Sequence, residues 1–305
     1  EARAKRGRPL TGDGRLRDRL RLPYTPTGAQ SRTIREIEGD MAQSQPMLRL
    51  LQGDVGAGKT LVATMALLIA AEAGAQGAML APTEILARQH YDNLSRLLAG
   101  LDIRIAILTG RDKGKVREAV LMGLAAGEID LLVGTHALIQ DDVVYKDLAL
   151  AVVDEQHRFG VRERLALTSK GEAVDVLVLS ATPIPRTLVL TYFGDMDVSE
   201  LREKPAGRQP IVTRAVPDIR LQEVIDAVGR ALDAGRLVYW ICPLVEESEN
   251  VRLTDASQRF ESLRERFGDR VGLVHGKMRG PDKDRVMAQF SAGEIGVLVA
   301  TTVVE

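Results

Sequence analysis

Residues 47–60 read MLRLLQGDVGAGKT, an apolar run that breaks into glycines and closes on a lysine and a threonine. Gly53 to Thr60 fits the pattern G-x-x-x-x-G-K-[ST]. Its flanks meet the structural requirement of that pattern, an apolar strand before it (Met47 to Leu51) and a helix after it (Leu61 to Glu72). In the loop Gly53, Asp54, Val55, Gly56, Ala57, Gly58, the glycines let successive N–H groups point at a phosphate, at the positive end of the following helix. Lys59 is expected to reach the β and γ phosphates of ATP, and Thr60 to offer its hydroxyl to Mg²⁺.

Outward from this loop, short apolar runs alternate with helical patterns, as a parallel sheet with crossover helices requires. The predicted strands are Met47 to Gln52, Ala78 to Ala81, Ile103 to Leu108, Leu131 to Gly134, Ala149 to Asp154 and Val176 to Ser180, with helices such as Lys59 to Glu72 and Glu84 to Leu98 between them. That is a doubly wound α/β domain. The cluster Pro205 to Pro210 interrupts the pattern, and strands near Ile211 to Ala215, Leu237 to Cys242, Val271 to His275 and Gly296 to Thr301 open a second α/β domain. No crossover helix follows the last strand, so this domain is expected to be incomplete. From Glu1 to Arg21, eight basic residues stand against three acidic ones, which reads as an exposed basic linker or arm. The expected organisation is an arm over 1–21, a first lobe over 22–205 and a second over 211–305.

Composition narrows the class. The 305 residues, 45% hydrophobic and 27% charged, suffice for two cores and are too apolar for a disordered chain. With 41 Lys and Arg against 42 Asp and Glu the net charge is −1, which excludes a polycation and requires any nucleic-acid affinity to come from a local patch. Cys242 is the single cysteine, and no Cys and His cluster has zinc spacing, so a reducing cytosol is expected and any metal should sit on oxygens. The longest apolar run, Leu61 to Ala71, is far short of the roughly 20 residues that span a bilayer. Neither a membrane segment nor a signal peptide is read.

Several further segments carry chemistry. The strand ending in Val153 runs into Asp154 and Glu155, placing two carboxylates at the carboxyl edge of the sheet, where α/β ligands bind. Asp154 is expected to hold Mg²⁺ through its water shell and Glu155 to orient and deprotonate water. Ser180, Ala181 and Thr182 end another strand; they could couple nucleotide state to the neighbouring domain, or simply hydrogen-bond their own backbone. Gln30 can pair with an adenine edge, one donor and one acceptor. Pro82, Thr83, Gly134, Thr135 and His136 follow apolar strands, as do His275 and Gly276. Loops there could donate N–H groups to a nucleic-acid backbone, although Thr and Gly after a strand are also ordinary helix caps. The four histidines, His90, His136, His157 and His275, have no metal partner at sensible spacing and are read as hydrogen-bonding groups.

Taken in order, Gln30, GDVGAGKT, APTEILARQH, VGTHALI, DEQH, SATPIPRTL and VHGKM resemble the motifs of superfamily 2 helicases, and they cover nearly the whole chain from Leu22. DEQHRFGVRERLAL (Asp154 to Leu167) and SATPIPRTL (Ser180 to Leu188) are most similar to the bacterial ATP-dependent DNA helicases that remodel replication forks and Holliday junctions. SATPIPRTL is also similar to transcription-repair coupling translocases. The resemblance implies two RecA-like lobes with ATP in the cleft between them and duplex DNA across their top. It implies that Gly53 to Thr60 binds phosphates, that Asp154 and Glu155 handle Mg²⁺ and water, and that Gln30 reads adenine. His157 and Ser180 to Thr182 would relay the γ-phosphate state, while Pro82, Thr83 and Gly134 to His136 touch DNA. Branched or forked double-stranded DNA is the implied partner, single-stranded-DNA-binding protein a candidate one, with a monomer in the bacterial cytoplasm near the nucleoid. Translocation would follow from closure on ATP and opening after hydrolysis.

Three departures qualify this. No wedge domain precedes Leu22, Thr301 to Glu305 looks like the opening of a further motif, and the arginine-bearing motif is absent. The chain alone is therefore expected to be inactive. A rival of another class, a non-hydrolysing ATP-sensing DNA clamp, would have lost Glu155 or its metal partner, and this sequence keeps both.

Overall fold

A computed structural model describes residues 8–154, 166–182, 196–203, 211–242 and 249–301, without the side chains of 249–255. The chain divides into two compact units, Glu1–Gln209 and Pro210–Glu305.

In the first unit, β1 (Leu48–Gly53), β2 (Gln76–Leu80), β3 (Ile105–Leu108), β4 (Leu131–Gly134), β5 (Leu148–Val153), β6 (Asp175–Ser180) and β7 (Asp197–Leu201) form one sheet in the order β3-β4-β2-β5-β6-β1-β7. Every pairing is parallel. β2, β4, β5 and β6 are buried along their whole length, which explains why they read as continuous apolar runs rather than alternating ones. Among the described residues, four α-helices serve this sheet: α1 (Gly28–Met41), α2 (Lys59–Glu72), α3 (Glu84–Leu97) and α4 (Gly114–Ala126). α2 is apolar almost all round and is buried accordingly, with Leu61, Val62, Ala63, Ala66 and Leu67 in the core. α1 starts at a capping box, in which the Thr27 hydroxyl accepts from the Gln30 N–H and the Gln30 amide accepts from the Thr27 N–H.

The second unit holds β8 (Val238–Ile241), β9 (Val271–Val274) and β10 (Val297–Ala300), parallel in the order β8-β10-β9, with α5 (Leu221–Asp233), α6 (Glu249–Phe267) and α7 (Gly280–Ser291). Ile225, Val228, Leu232, Leu263 and Phe267 pack on Val297 and Val299, while Phe290 and Ile295 join Leu298 and Val274.

Three features differ from the sequence reading. Residues 8–21 are no free arm: Leu10 and Leu16 enter the core, and the Glu72 carboxylate accepts from the N–H groups of Gly14, Leu16 and Arg17. The expected strand over Ile211 to Ala215 has no regular secondary structure, with Ile211 70% and Val212 75% exposed. Its β-branched residues favour a strand, but among the described residues no neighbouring strand supplies a ladder. Conversely β7 was not anticipated, since two of its five residues are acidic; it is an edge strand held through β1. Among the described residues no helix is long and apolar enough to cross a membrane.

Asp175 opens β6 almost fully buried, and its carboxylate accepts from the Met47 N–H at 2.6 Å. Burial, against the help of that N–H, pushes its pKa up to about 7. The native state therefore binds this proton more tightly than the unfolded chain does. The contribution is complete below about pH 4 and is lost as the pH rises through about 7, at up to about 1.4 kcal/mol per pH unit. Asp175→Asn keeps an acceptor for Met47 and cannot ionise. Unfolding midpoints measured from pH 4.5 to 8 should fall less steeply in the variant; parallel curves would contradict the assignment.

Candidate functional site

Because all seven strands run parallel, their carboxyl ends share one edge, and strand order divides that edge in two. β5, β6 and β1 lead into Asp154, Ser180 to Thr182 and the Gly53 to Thr60 loop, while β3, β4 and β2 lead into Thr109 to Lys113, Gly134 to His136 and Pro82 to Thr83. The halves meet where β2 pairs with β5. There the Asp154 N–H donates to the Leu80 carbonyl at 2.9 Å, and the Ala81 N–H to the Gly134 carbonyl at 2.8 Å.

In the first half, Gly56 and Gly58 take φ of 76° and 87°, the left-handed region that glycine enters without strain. Asp54, Val55 and Gly56 are exposed, so the loop is open to a ligand at the N-terminus of α2. The Lys59 Nζ donates to the carbonyls of Gly53 at 2.6 Å and Asp54 at 3.3 Å, so it spans the inside of its own loop. Gln30 is 2% exposed. Its amide oxygen accepts from Thr27, and its Nε2 donates to the Ala57 carbonyl at 2.8 Å, tying α1 to the phosphate loop. A Cβ on Gly58 would lie 2.2 Å from that Nε2, so glycine is needed there twice over. Both ends of the Gln30 amide are thus engaged within the protein, each with one hydrogen-bonding position left over. Ser180 is fully buried, and its hydroxyl donates to the Thr182 carbonyl at 3.0 Å. The Gln52 amide on β1 donates to that same carbonyl.

Among the described residues, no group of three or more His, Cys, Asp or Glu side chains could hold a metal ion. The edge offers instead the Thr60 hydroxyl and the Asp154 carboxylate. These are hard oxygen donors, few enough to leave a cation most of its water and phosphate ligands, which is how Mg²⁺ is usually held. Glu155 and His157 lie outside the described residues.

In the second half, the Thr83 hydroxyl accepts from the Leu86 N–H and caps α3, so its capping role is realised. Gly134 admits no side chain, since a Cβ would meet the Leu108 carbonyl oxygen at 2.0 Å; Thr135 beyond it is half-buried and His136 exposed. Two features escaped the sequence reading. The loop after β3 is held in shape by the Asp112 carboxylate, which accepts from the Thr109 N–H and hydroxyl. Arg111 in that loop pairs with Glu84, and Lys113 is exposed. Its signal was a basic run directly after a strand. The second feature is His90 on α3, whose Nε2 lies 2.7 Å from the Asp154 Oδ2. In the second unit, His275 follows β9, and burial together with Lys283 and Lys277 holds its imidazole below the usual range.

A phosphate-loop sheet with a strand-end carboxylate defines a class, and residues 27–190 match the DEAD/DEAH box helicase family: the chain belongs to it. Residues 221–305 match the helicase conserved C-terminal domain. The chain is similar to the ATP-dependent DNA helicase RecG of Escherichia coli K12, 48% identical over 305 residues, covering 97% of this chain and 44% of that protein. RecG of Bacillus subtilis 168 is 52% identical over 286 residues, covering 93% and 42%. The chain thus spans less than half the length of these relatives. A solved structure of RecG bound to a three-way DNA junction superposes with a TM-score of 0.79 at 41% identity, over 98% of this chain and 40% of that one.

Proposed function

We propose that the chain is the ATP-driven motor segment of a DNA helicase that remodels branched DNA, such as stalled forks and Holliday junctions. The observation that carries this reading is the single sheet edge, which has phosphate-binding geometry on one half and strand-end loops with exposed His136 and Lys113 on the other. The RecG structure on a three-way junction supports the choice of branched DNA. A monomer, a cytoplasmic location near the nucleoid and a single-stranded-DNA-binding protein partner rest on the family resemblance alone.

Mg-ATP, when bound, supplies the phosphoanhydride whose hydrolysis drives the cycle. The loop N–H groups and the α2 terminus would receive the phosphates, and Lys59 would exchange the Gly53 and Asp54 carbonyls for phosphate oxygens. Asp154 and Thr60 would hold the metal, Asp154 through its water shell and Thr60 by its hydroxyl. Glu155 as the water-orienting base and His157 as a relay follow from their place in the motif. Gln30, bonded to the Ala57 carbonyl, transmits the state of the loop to α1 and reads adenine with its remaining N–H and lone pair. Pro82, Thr83, Gly134, Thr135 and His136 face the DNA backbone, with Arg111 and Lys113 beside them.

Asp154→Asn tests the metal assignment. Titration of the full-length protein with a fluorescent ATP analogue should show Mg²⁺-dependent tightening in the wild type, reduced on the order of 10- to 100-fold in the variant. An undiminished Mg²⁺ response would remove Asp154 from the site.

A further inference from the structure

We infer that His90 is a positioning residue that couples DNA to the nucleotide site, its hydrogen bond to Asp154 carrying a displacement of the DNA half of the edge onto the metal-holding carboxylate. This rests on the reading of Asp154 and Pro82–Thr83 given above. His90 lies seven residues beyond Thr83, two turns along α3. Ala87, His90 and Leu94 form the buried face of that helix, which packs over β3 and β4. The imidazole is in a buried setting, 8% exposed for the residue as a whole, and its Nε2 stands 2.7 Å from the Asp154 Oδ2. With the carboxylate ionised, that bond requires the hydrogen on Nε2, a charge-assisted contact that fixes the carboxylate's rotation.

The start of α3 is fixed as firmly as its middle. Thr83 caps it, Glu84 pairs with Arg111 in the loop after β3, and Ala81 is hydrogen-bonded to Gly134. Asp154 is therefore held by this segment twice, through its main chain at Leu80 and through its side chain at His90. The hydrogen bonds described for Gln30, Lys59 and Ser180 stay within the nucleotide half; that of His90 crosses from the other. A tilt of α3 imposed at Pro82–Thr83 or Gly134–His136 moves Nε2 and re-aims the carboxylate. A misplacement of about 1 Å in such a site is worth up to about 10²-fold in rate.

The test uses the full-length protein with His90→Ala and His90→Gln, since glutamine can return an N–H near the position of Nε2. Affinity for a three-way junction is measured by anisotropy with and without a non-hydrolysable Mg²⁺–ATP analogue, alongside ATPase kcat and KM with and without junction. In the wild type, nucleotide should change junction affinity by a factor of about 5 to 150, and junction should change nucleotide affinity by the same factor. His90→Ala should bring this factor close to unity and lower junction stimulation of kcat at least about tenfold, leaving nucleotide-free junction affinity little changed. His90→Gln should recover most of the coupling. Where alanine lowers the melting point, His90→Leu fills the space without a hydrogen bond and takes its place. An unchanged coupling factor without the imidazole overturns the proposal, as does a well-folded glutamine variant no better coupled than alanine. Asp154→Asn, run in parallel, separates the two possible failures. A wild-type Mg²⁺ response there overturns the reading of Asp154 and this proposal with it. A lost response, with coupling intact in His90→Ala, overturns the proposal alone.

Discussion

Lys59→Ala in the full-length protein is expected to lower ATP hydrolysis on the order of 10²-fold or more while leaving the fold intact. On the function proposed above, the rate effect follows from removing the positive group that would neutralise charge developing on the transferring phosphoryl oxygens. The structural effect is small because the Nζ bonds to two carbonyls of an exposed loop, Gly53 and Asp54, and hydrogen bonds of this kind contribute about 0.5–1.5 kcal/mol net. The helix behind the loop keeps its buried residues, among them Leu61, Val62 and Leu67. Steady-state hydrolysis and a melting curve together check this. Wild-type turnover in the variant would overturn the site.

The second large effect is on stability. Glu72 sits at the C-terminal end of α2, where the helix dipole disfavours a carboxylate, yet its side chain is 0% exposed. It is held there by the N–H groups of Gly14, Leu16 and Arg17 and by the Arg17 Nε at 2.8 Å. Burial alone would lower the Arg17 pKa, but the carboxylates of Glu38 and Glu72 outweigh it and raise it. Glu72→Ala leaves three amides without their acceptor and Arg17 with Glu38 as its remaining carboxylate, and breaking a buried pair from one side costs up to about 3–5 kcal/mol. Arg15→Ala, which breaks an exposed pair with Asp13 and two longer contacts to the Ala71 and Glu72 carbonyls, is the contrast and should cost far less. Hydrogen exchange should show the Gly14, Leu16 and Arg17 amides losing protection in Glu72→Ala. A variant as stable as Arg15→Ala would show that residues 8–21 do not need this anchor.

Legibility in the sequence followed the physics of each element. β2, β4, β5 and β6 were readable because burial on both faces leaves a run with no polar interruption. The phosphate loop was readable because its glycines answer a local backbone demand at Gly56 and Gly58. What escaped depends on partners distant in the chain. Glu72 and the stretch from Gly14 to Arg17 look like solvated charge until the fold brings them together. His90 meets Asp154 across 64 residues, and no spacing rule connects them. Residues 211–215 fail in the opposite direction, with strand-forming residues but no ladder to join among the described residues. Gln30 stands out in the sequence as an adenine reader, and its bonds to Thr27 and Ala57 are a use that a motif alone does not disclose.

If this sheet edge converts ATP binding into work on branched DNA, as proposed above, the steady-state ATPase rate of the full-length protein tests it most directly, measured against increasing three-way junction and against linear duplex of equal length. Stimulation should saturate at lower junction than duplex concentration and disappear in Lys59→Ala. Hydrolysis indifferent to DNA, or stimulated equally by both substrates, would contradict it.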